Sequence, residues 1–450
     1  MKLWDKGIKT DKKILEFTVG KDRDYDLHIA GFDVLASIAH VKMLHQVKLI
    51  EKDQSDDIIK ILIKIFDDLE KGKFKIDEGI EDVHSQLEKI LVKKLGETGK
   101  RIHTARSRND QVLVALKLFY REEIINIAFI IKELANTLLG RAEDTKSFLM
   151  PGYTHLQAAM YSSFGLWFSA WAEAFTEDLY LLRGIFDYIN LNPLGSAAGY
   201  GSSFPIDRAY TTVLLEFSDM HINSINAQLS RGKTEKMLLG GLSSVAGTVS
   251  KMSYDLVLFL NQNFDLFSLS DELTTGSSIM PHKKNPDVLE LLRAKANRIQ
   301  AREFEIQSLI NNLPSGYHRD FQLLKEITFP AIFELKECLG ILGYVLPGLR
   351  VNENATEDEI YKYLGSVDAI NEKVKSGESF REAYRKVAEE IQRGDFKPVE
   401  NPEYTHPGSI GNLSTGRIKD KLDKICNRMQ IEKYRGFQER IMDKIKNEVV

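Results

Sequence analysis

Between Thr274 and Asp287 the chain gathers the groups that chemistry on an anion needs. Gly276 leads a loop carrying Ser277, Ser278, Lys283 and Lys284. The loop feeds a helix, with Asn285 expected as N-cap and Pro286 as first helical residue, since proline's missing N–H costs nothing there. A helix start presents unpaired backbone N–H groups and the positive end of a dipole, so it suits an anionic ligand. The lysines add charge. The same serines and lysines also serve in solvated loops, and chemistry alone leaves both readings open.

A second concentration lies at Arg101–Val112, just ahead of a long helical pattern. Arg106 and Arg108 suit carboxylates, with Ser107 and Asn109 as hydrogen-bond donors. The plainer reading makes Asn109 or Asp110 the helix cap and leaves the arginines in solvent. His155 lies in Pro151–Gln157, which reads as the opening of a further helix. Glu290 falls five residues beyond Asn285, either as an exposed helical carboxylate or as a partner that raises the basicity of His155.

These stretches share a resemblance. Ser277–Pro286 matches the signature loop of the fumarase/aspartase superfamily, GSSxMPxKxNP, whose members split a C–N or C–O bond by β-elimination. The Lys-Lys-Asn-Pro-Asp form looks most like the argininosuccinate lyase and delta-crystallin family, whereas His282 is commoner in adenylosuccinate lyases. Ser107–Gln111 resembles the SRNDQ motif of the argininosuccinate lyases, and Gly152–Gln157 their GYTHLQ motif. Leu313–Lys325 resembles their LPSxYxxDxQxxK. Pro193–Gly199 is similar to their glycine-rich connection between bundle helices. Tyr161 stands where such lyases usually carry proline. Gln228–Lys233 departs from their Ser-Glu-Arg-Asp-Phe pattern: Arg231 matches, while Gly232 and Lys233 do not.

The resemblance implies a site and a reaction. Argininosuccinate is split reversibly into arginine and fumarate, as in arginine biosynthesis, through a dianionic aci-carboxylate intermediate. Fixed cations and N–H groups lower the barrier where that charge develops. Lys283, Asn285 and the loop amides fit this need. Ser277 becomes the base, its alkoxide stabilised by the same surroundings. His155, oriented by Glu290, helps move that proton or protonates the leaving nitrogen. Thr154 and Arg231 take substrate carboxylates, with Ser107, Arg108 and Asn109 beside them. Tyr317, Gln322 and Lys325 hold the amino-acid portion. No cofactor is required, and the 10 histidines show no metal-ligand spacing. Two rival readings are an adenylosuccinate lyase-like enzyme and a non-catalytic, crystallin-like structural relative. Against the second, Ser277, His155, Lys283 and Glu290 are all present.

Such a site needs long, rigid elements. No proline precedes Pro151, and none lies between Pro205 and Pro281, which permits very long helices. Val112, Leu116, Phe119, Ile127, Ile130, Leu134 and Leu138 fall near helical spacing, and similar runs span 162–190, 233–267, 287–311 and 322–344. The expected fold is all-α: helical domains at 1–107, 108–350 and 351–450, the middle one a long-helix bundle. An unbroken helix from Gln111 to Leu139 runs about 44 Å, and neighbouring helices alternate in direction. Asn109 and His155 then lie at opposite ends, so shared sites in a multi-chain core are expected. A homotetramer is what the resemblance implies.

With 450 residues, a net charge of −4 and 28% charged residues, the composition gives no reason to expect nucleic acid or a membrane as partner. Only Cys338 and Cys426 are cysteines, and the opening segment MKLWDKGIKTDKK lacks an apolar signal core. A reducing, cytoplasmic setting is the expectation.

Overall fold

A computed structural model describes residues 11–399 and 402–449. Most of the charged opening segment, through Thr10, lies outside them. The architecture is all-α with small two-stranded sheets. Four helices come first: α1 (Lys12–Val19), α2 (Asp22–Gln46), α3 (Lys52–Glu70) and α4 (Val83–Leu95). The bundle follows as α5 (Arg108–Asp144), α6 (Phe164–Ile189), α7 (Lys233–Phe259), α8 (Asp287–Leu309) and α9 (Leu324–Val345).

The 37 residues of α5 give a rod of about 55 Å, the spine of the molecule. Its start is fixed by a capping box. Ser107 Oγ accepts from the Asn109 N–H at 3.2 Å, and Asp110 Oδ1 accepts from the Ser107 N–H at 2.9 Å. Leu116, Phe119, Ile127, Leu134 and Leu138 are buried, as their spacing predicts. Phe119 meets Phe329 of α9 with ring centroids 4.5 Å apart, which closes the bundle around the spine. α7 and α8 run antiparallel. Ser250 Oγ donates to Asn297 Oδ1 at 2.8 Å in mid-bundle, and Gly232, ahead of α7, lies beside Ile310 at the far end of α8.

Local readings need correction in two places. Pro151–Gln157 does not open a helix. Leu149–Thr154 (β1) pairs antiparallel with Gln157–Ser163 (β2), and α6 starts only at Phe164, capped by Ser163. His155 and Leu156 form the connecting turn with φ of 53° and 57°. Two positive φ values make a primed turn, whose twist suits a hairpin and whose usual residues are Asn and Gly. Neither is present, so the turn leaves no mark on the sequence. The start of α8 also shifts: Pro286 is the cap and Asp287 the first helical residue, while Asn285 pairs back with Thr275.

Among the described residues one helix, α2, is long and apolar enough to cross a membrane, but 83% of its apolar stretch is buried inside the protein. Its buried polar groups tie it to neighbours. Asp33 holds His84 at 2.9 Å and Gln111 at 2.8 Å, and His40 Nε2 lies 2.9 Å from the Thr104 carbonyl. After residue 351 the chain divides. The pair α10 (Ser366–Lys375) and α11 (Phe380–Arg393) closes over a small core of Ala369, Ile370, Ala383 and Val387. The last helices, α12 (Thr415–Met429) and α13 (Phe437–Val449), return to the main core through Leu422, Met429, Phe437 and Met442.

Candidate active site

At the α5 start, a cavity of about 150 Å³ collects predicted residues from three separate stretches: Arg108 and Asn109, Arg231, and Tyr317, Gln322 and Lys325. Its acidic wall comes from Asp22 and Asp26 on α2 and from Glu81 and Asp82 ahead of α4. Lys325 is buried, 2.6 Å from Asp22 and 2.5 Å from Asp26. Burial disfavours its charge, but Asp26 and Asp22 outweigh that and hold its pKa above the ordinary lysine value. Burial pushes the Asp22 carboxyl up, with Lys325 opposing.

The arginines behave differently from expectation. Arg106 is buried and donates to Ser37 Oγ at 3.0 Å, beneath the cavity rather than in it. Arg108 reaches the cavity but is held by Asp82, with Glu81 at 3.7 Å. Ser107 is the helix cap, its hydroxyl oxygen accepting from the Asn109 N–H. Arg231 is 5% exposed and donates to the Phe321 carbonyl at 3.1 Å, while its Nε and Nη1 have no hydrogen-bond partner. Glu235 stands 3.8 Å away and also accepts from the Gly232 N–H at 2.7 Å. A carboxylate therefore accompanies Arg231 after all, on the first turn of α7. Gln322 donates to the carbonyls of Thr18 and Val19 at 2.9 and 3.0 Å, drawing the end of α1 over the cavity.

One residue was missed. His84 lines the cavity, buried, with Nδ1 on Asp33 and Nε2 without a hydrogen-bond partner. The run Glu81-Asp82-Val83-His84 was the available signal, acids and an imidazole at a helix start. Asp110 was singled out only as a possible cap. It also accepts from the Gly195 and Ala197 N–H groups, both at 3.0 Å, and so anchors the glycine-rich connection to the α5 start.

Thr154 and His155 sit elsewhere, exposed at the hairpin tip. Beside them a cavity of about 440 Å³ opens between the hairpin, Trp167 on α6, and Asp255 and Phe259 near the end of α7. The serine loop hangs from a closed neck: Thr275 and Asn285 exchange backbone hydrogen bonds at 3.1 and 2.8 Å. Ser277 Oγ accepts from the Ile279 and Met280 N–H groups at 3.4 and 3.2 Å. Donors aimed at that oxygen favour its anionic form. Lys283 and Glu290 are exposed, as is Ile279 at 83%. Among the described residues of one chain, Glu290 makes no hydrogen bond or ion pair with His155.

The two groups are far apart. Arg231 precedes α7, and Phe259, at its other end, lies against Tyr153 with ring centroids 6.2 Å apart. α7 alone spans about 40 Å over its 27 residues. Antiparallel α8 places Asn285 and Glu290 at the hairpin's end. The cavity lined by Arg108, Asn109, Arg231, Tyr317, Gln322 and Lys325 thus lies at one end of the bundle, and the hairpin and serine loop at the other.

This bundle is that of the helical, fumarase-like lyases. An EDDS lyase variant with bound fumarate superposes with a TM-score of 0.77 at 19% identity, covering 96% of this chain and 95% of that one. A class II fumarase from Schistosoma mansoni gives a TM-score of 0.72 at 15% identity, covering 92% and 94%. Residues 5–301 match the family described as Lyase. The argininosuccinate lyase of Phocaeicola vulgatus is 49% identical over 95% of this chain and 96% of its own length. The chain belongs to the argininosuccinate lyase family and is a carbon–nitrogen lyase.

Proposed function

We propose that the protein cleaves argininosuccinate to arginine and fumarate in the cytoplasm, at sites built from several copies of the chain in a homotetramer. The family carries the reaction. The separation of about 40 Å along α7 supports the assembly, because no small substrate reaches both groups of one chain. Leu181, Tyr254, Leu291, Phe304, Ile341 and Tyr344 leave apolar area exposed along α6–α9, which suits burial against other copies. We retain 1–107, 108–350 and 351–450 as the working parts, with the cavity walls divided between the first two.

In this reading Tyr317, Gln322 and Lys325 hold the arginine portion, and Asn109 and Arg231 sit beside it. Another copy brings Thr154 and His155, and a third brings Ser277, Lys283 and Asn285. The Ser277 alkoxide takes the proton beside the carboxylate, and Lys283 and the loop amides hold the aci-carboxylate. The C–N bond then breaks, and the guanidine nitrogen takes a proton for which His155 is the donor. Glu290 orients His155 across the interface.

Two measurements test this. Fumarate release is followed with argininosuccinate and adenylosuccinate side by side, and rapid cleavage of adenylosuccinate would overturn the substrate. Inactive His155→Asn and Ser277→Ala proteins are then unfolded and refolded together. Partial recovery is expected, since some mixed sites contain only intact segments. Confirmed hybrids without activity would place both residues in one chain.

A further inference from the structure

The hairpin that displays His155 is a poor structure on its own. A lone two-stranded hairpin is marginal in water, and both turn residues adopt a backbone conformation that side-chain-bearing residues rarely take. The pairing is also irregular, because the register shifts between Gly152 and Tyr153. Something outside the hairpin has to fix it, and such strained positions persist only where their surroundings over-determine them.

The anchor comes from the segment after residue 351. Tyr153, two residues before His155, wedges its ring against Phe264 at 5.1 Å and Phe259 at 6.2 Å between centroids. Its hydroxyl meets that of Tyr361 at 2.6 Å. Tyr361 is buried, and the two rings stand edge to face, 6.4 Å apart. Burial, and then the Tyr361 hydroxyl, hold the Tyr153 phenol above its ordinary pKa. On the second strand, Tyr161 packs over Gly365: a Cβ there would lie 3.3 Å from the Tyr161 ring and 3.2 Å from Pro398. The odd residue of the hairpin motif therefore has a counterpart in the same segment.

We propose that Tyr361, through the Tyr153 hydroxyl, is a positioning residue for His155, and that the segment after residue 351 sets the aim of the hairpin. The proposal rests on the reading of His155 as a group that handles a proton. Tyr361 touches no substrate. It holds the strand from which the imidazole projects, and misplacing a catalytic group by about 1 Å is enough to cost roughly a hundredfold in rate.

The experiment measures steady-state kinetics of the tetrameric enzyme on argininosuccinate for Tyr361→Phe, Tyr153→Phe and the double variant. Each single variant should lower kcat by roughly ten- to hundredfold, with KM within about twofold. The double variant should be no worse than either single one, because one bond is lost in all three. A purely structural tyrosine would lower Tm and leave the kcat of the folded fraction unchanged. Wild-type kcat in either single variant, or losses that multiply in the double, would overturn the proposal. Should Tyr361→Phe not fold, Gly365→Ala, which presses on Tyr161, must reproduce the kcat loss or the proposal falls. His155→Asn runs alongside: if it retains turnover, the role given to His155 is what fails.

Discussion

The two ends of the bundle are built on opposite principles. Around the cavity at the α5 start nearly every ionic group already has a partner: Lys325 has Asp22 and Asp26, Arg108 has Asp82, and His84 has Asp33. At the other end Thr154, His155, Lys283 and Glu290 are exposed, on a strained turn, a necked loop and a helix start. A packed, internally neutralised pocket keeps its shape without a ligand, which suits recognition. Exposed groups on loops are finished only when something covers them, which suits chemistry that must exclude water. In the proposed reading, one chain carries a complete receptor and an incomplete reactor.

The largest effect expected from breaking this division is at Ser277. Ser277→Ala should abolish fumarate release while substrate binding changes by less than about tenfold, since the lost group acts in the transition state. Turnover kinetics and calorimetric binding together check it, and near-normal turnover would return the base role to His155. Ser278→Ala should be milder.

At the packed end, damage should appear as lost stability. Lys325→Met strips buried Asp26 and half-buried Asp22 of their cation, and urea unfolding should show a loss of about 3–5 kcal/mol. A loss under about 1 kcal/mol would mean that this end is not held by its charges.

A pH experiment sharpens the same point. Lys117, buried on α5 and 2.8 Å from His221, has its pKa pushed down to about 7 by burial, with Glu235 opposing. Between that value and the unfolded-state lysine value near 10.4, the unfolded chain binds the extra proton, so stability is lost as pH falls through this window. Relative to Lys117→Met, the wild type should gain up to about 1.4 kcal/mol per pH unit between pH 7 and 10, and no more below 7. A flat difference would show that Lys117 stays charged in the folded protein.

The smallest effects belong to recognition. Asn109→Ala and Gln322→Ala should each cost about 1–3 kcal/mol in kcat/KM for argininosuccinate, the penalty for unsatisfied polar partners. For Gln322 part of that loss should come from α1, whose end it holds. If limited proteolysis near Thr18 is unchanged in Gln322→Ala, that part of the argument is wrong.

The long helices were legible because proline-free, periodic sequence leaves few alternatives, and α5 even exceeds the expected length. The binding cavity was legible as a set of residues, since Arg108, Asn109, Arg231, Tyr317, Gln322 and Lys325 do converge. What they touch was not legible. The partners of Lys325 lie about 300 positions away in the chain, and no local pattern announces such a pair. The hairpin escaped because His155-Leu156 adopts a turn that Asn-Gly would have advertised. The Ser107 oxygen caps α5, and Arg106 bonds to Ser37 on α2, likewise a tertiary detail that no local pattern announces.

The closed neck at Thr275–Asn285 has a geometric consequence. The bridge encloses Gly276–Lys284, nine residues that must go out and come back. At about 3.4 Å per residue, the tip reaches no more than about 15 Å from the neck. That radius is a ruler for the proposed assembly: the cavity mouth and hairpin tip of the copies that share a site must both fall within one loop's reach of this bridge. Lengthening the arm by a few glycines should leave the neck intact while loosening the tip's aim.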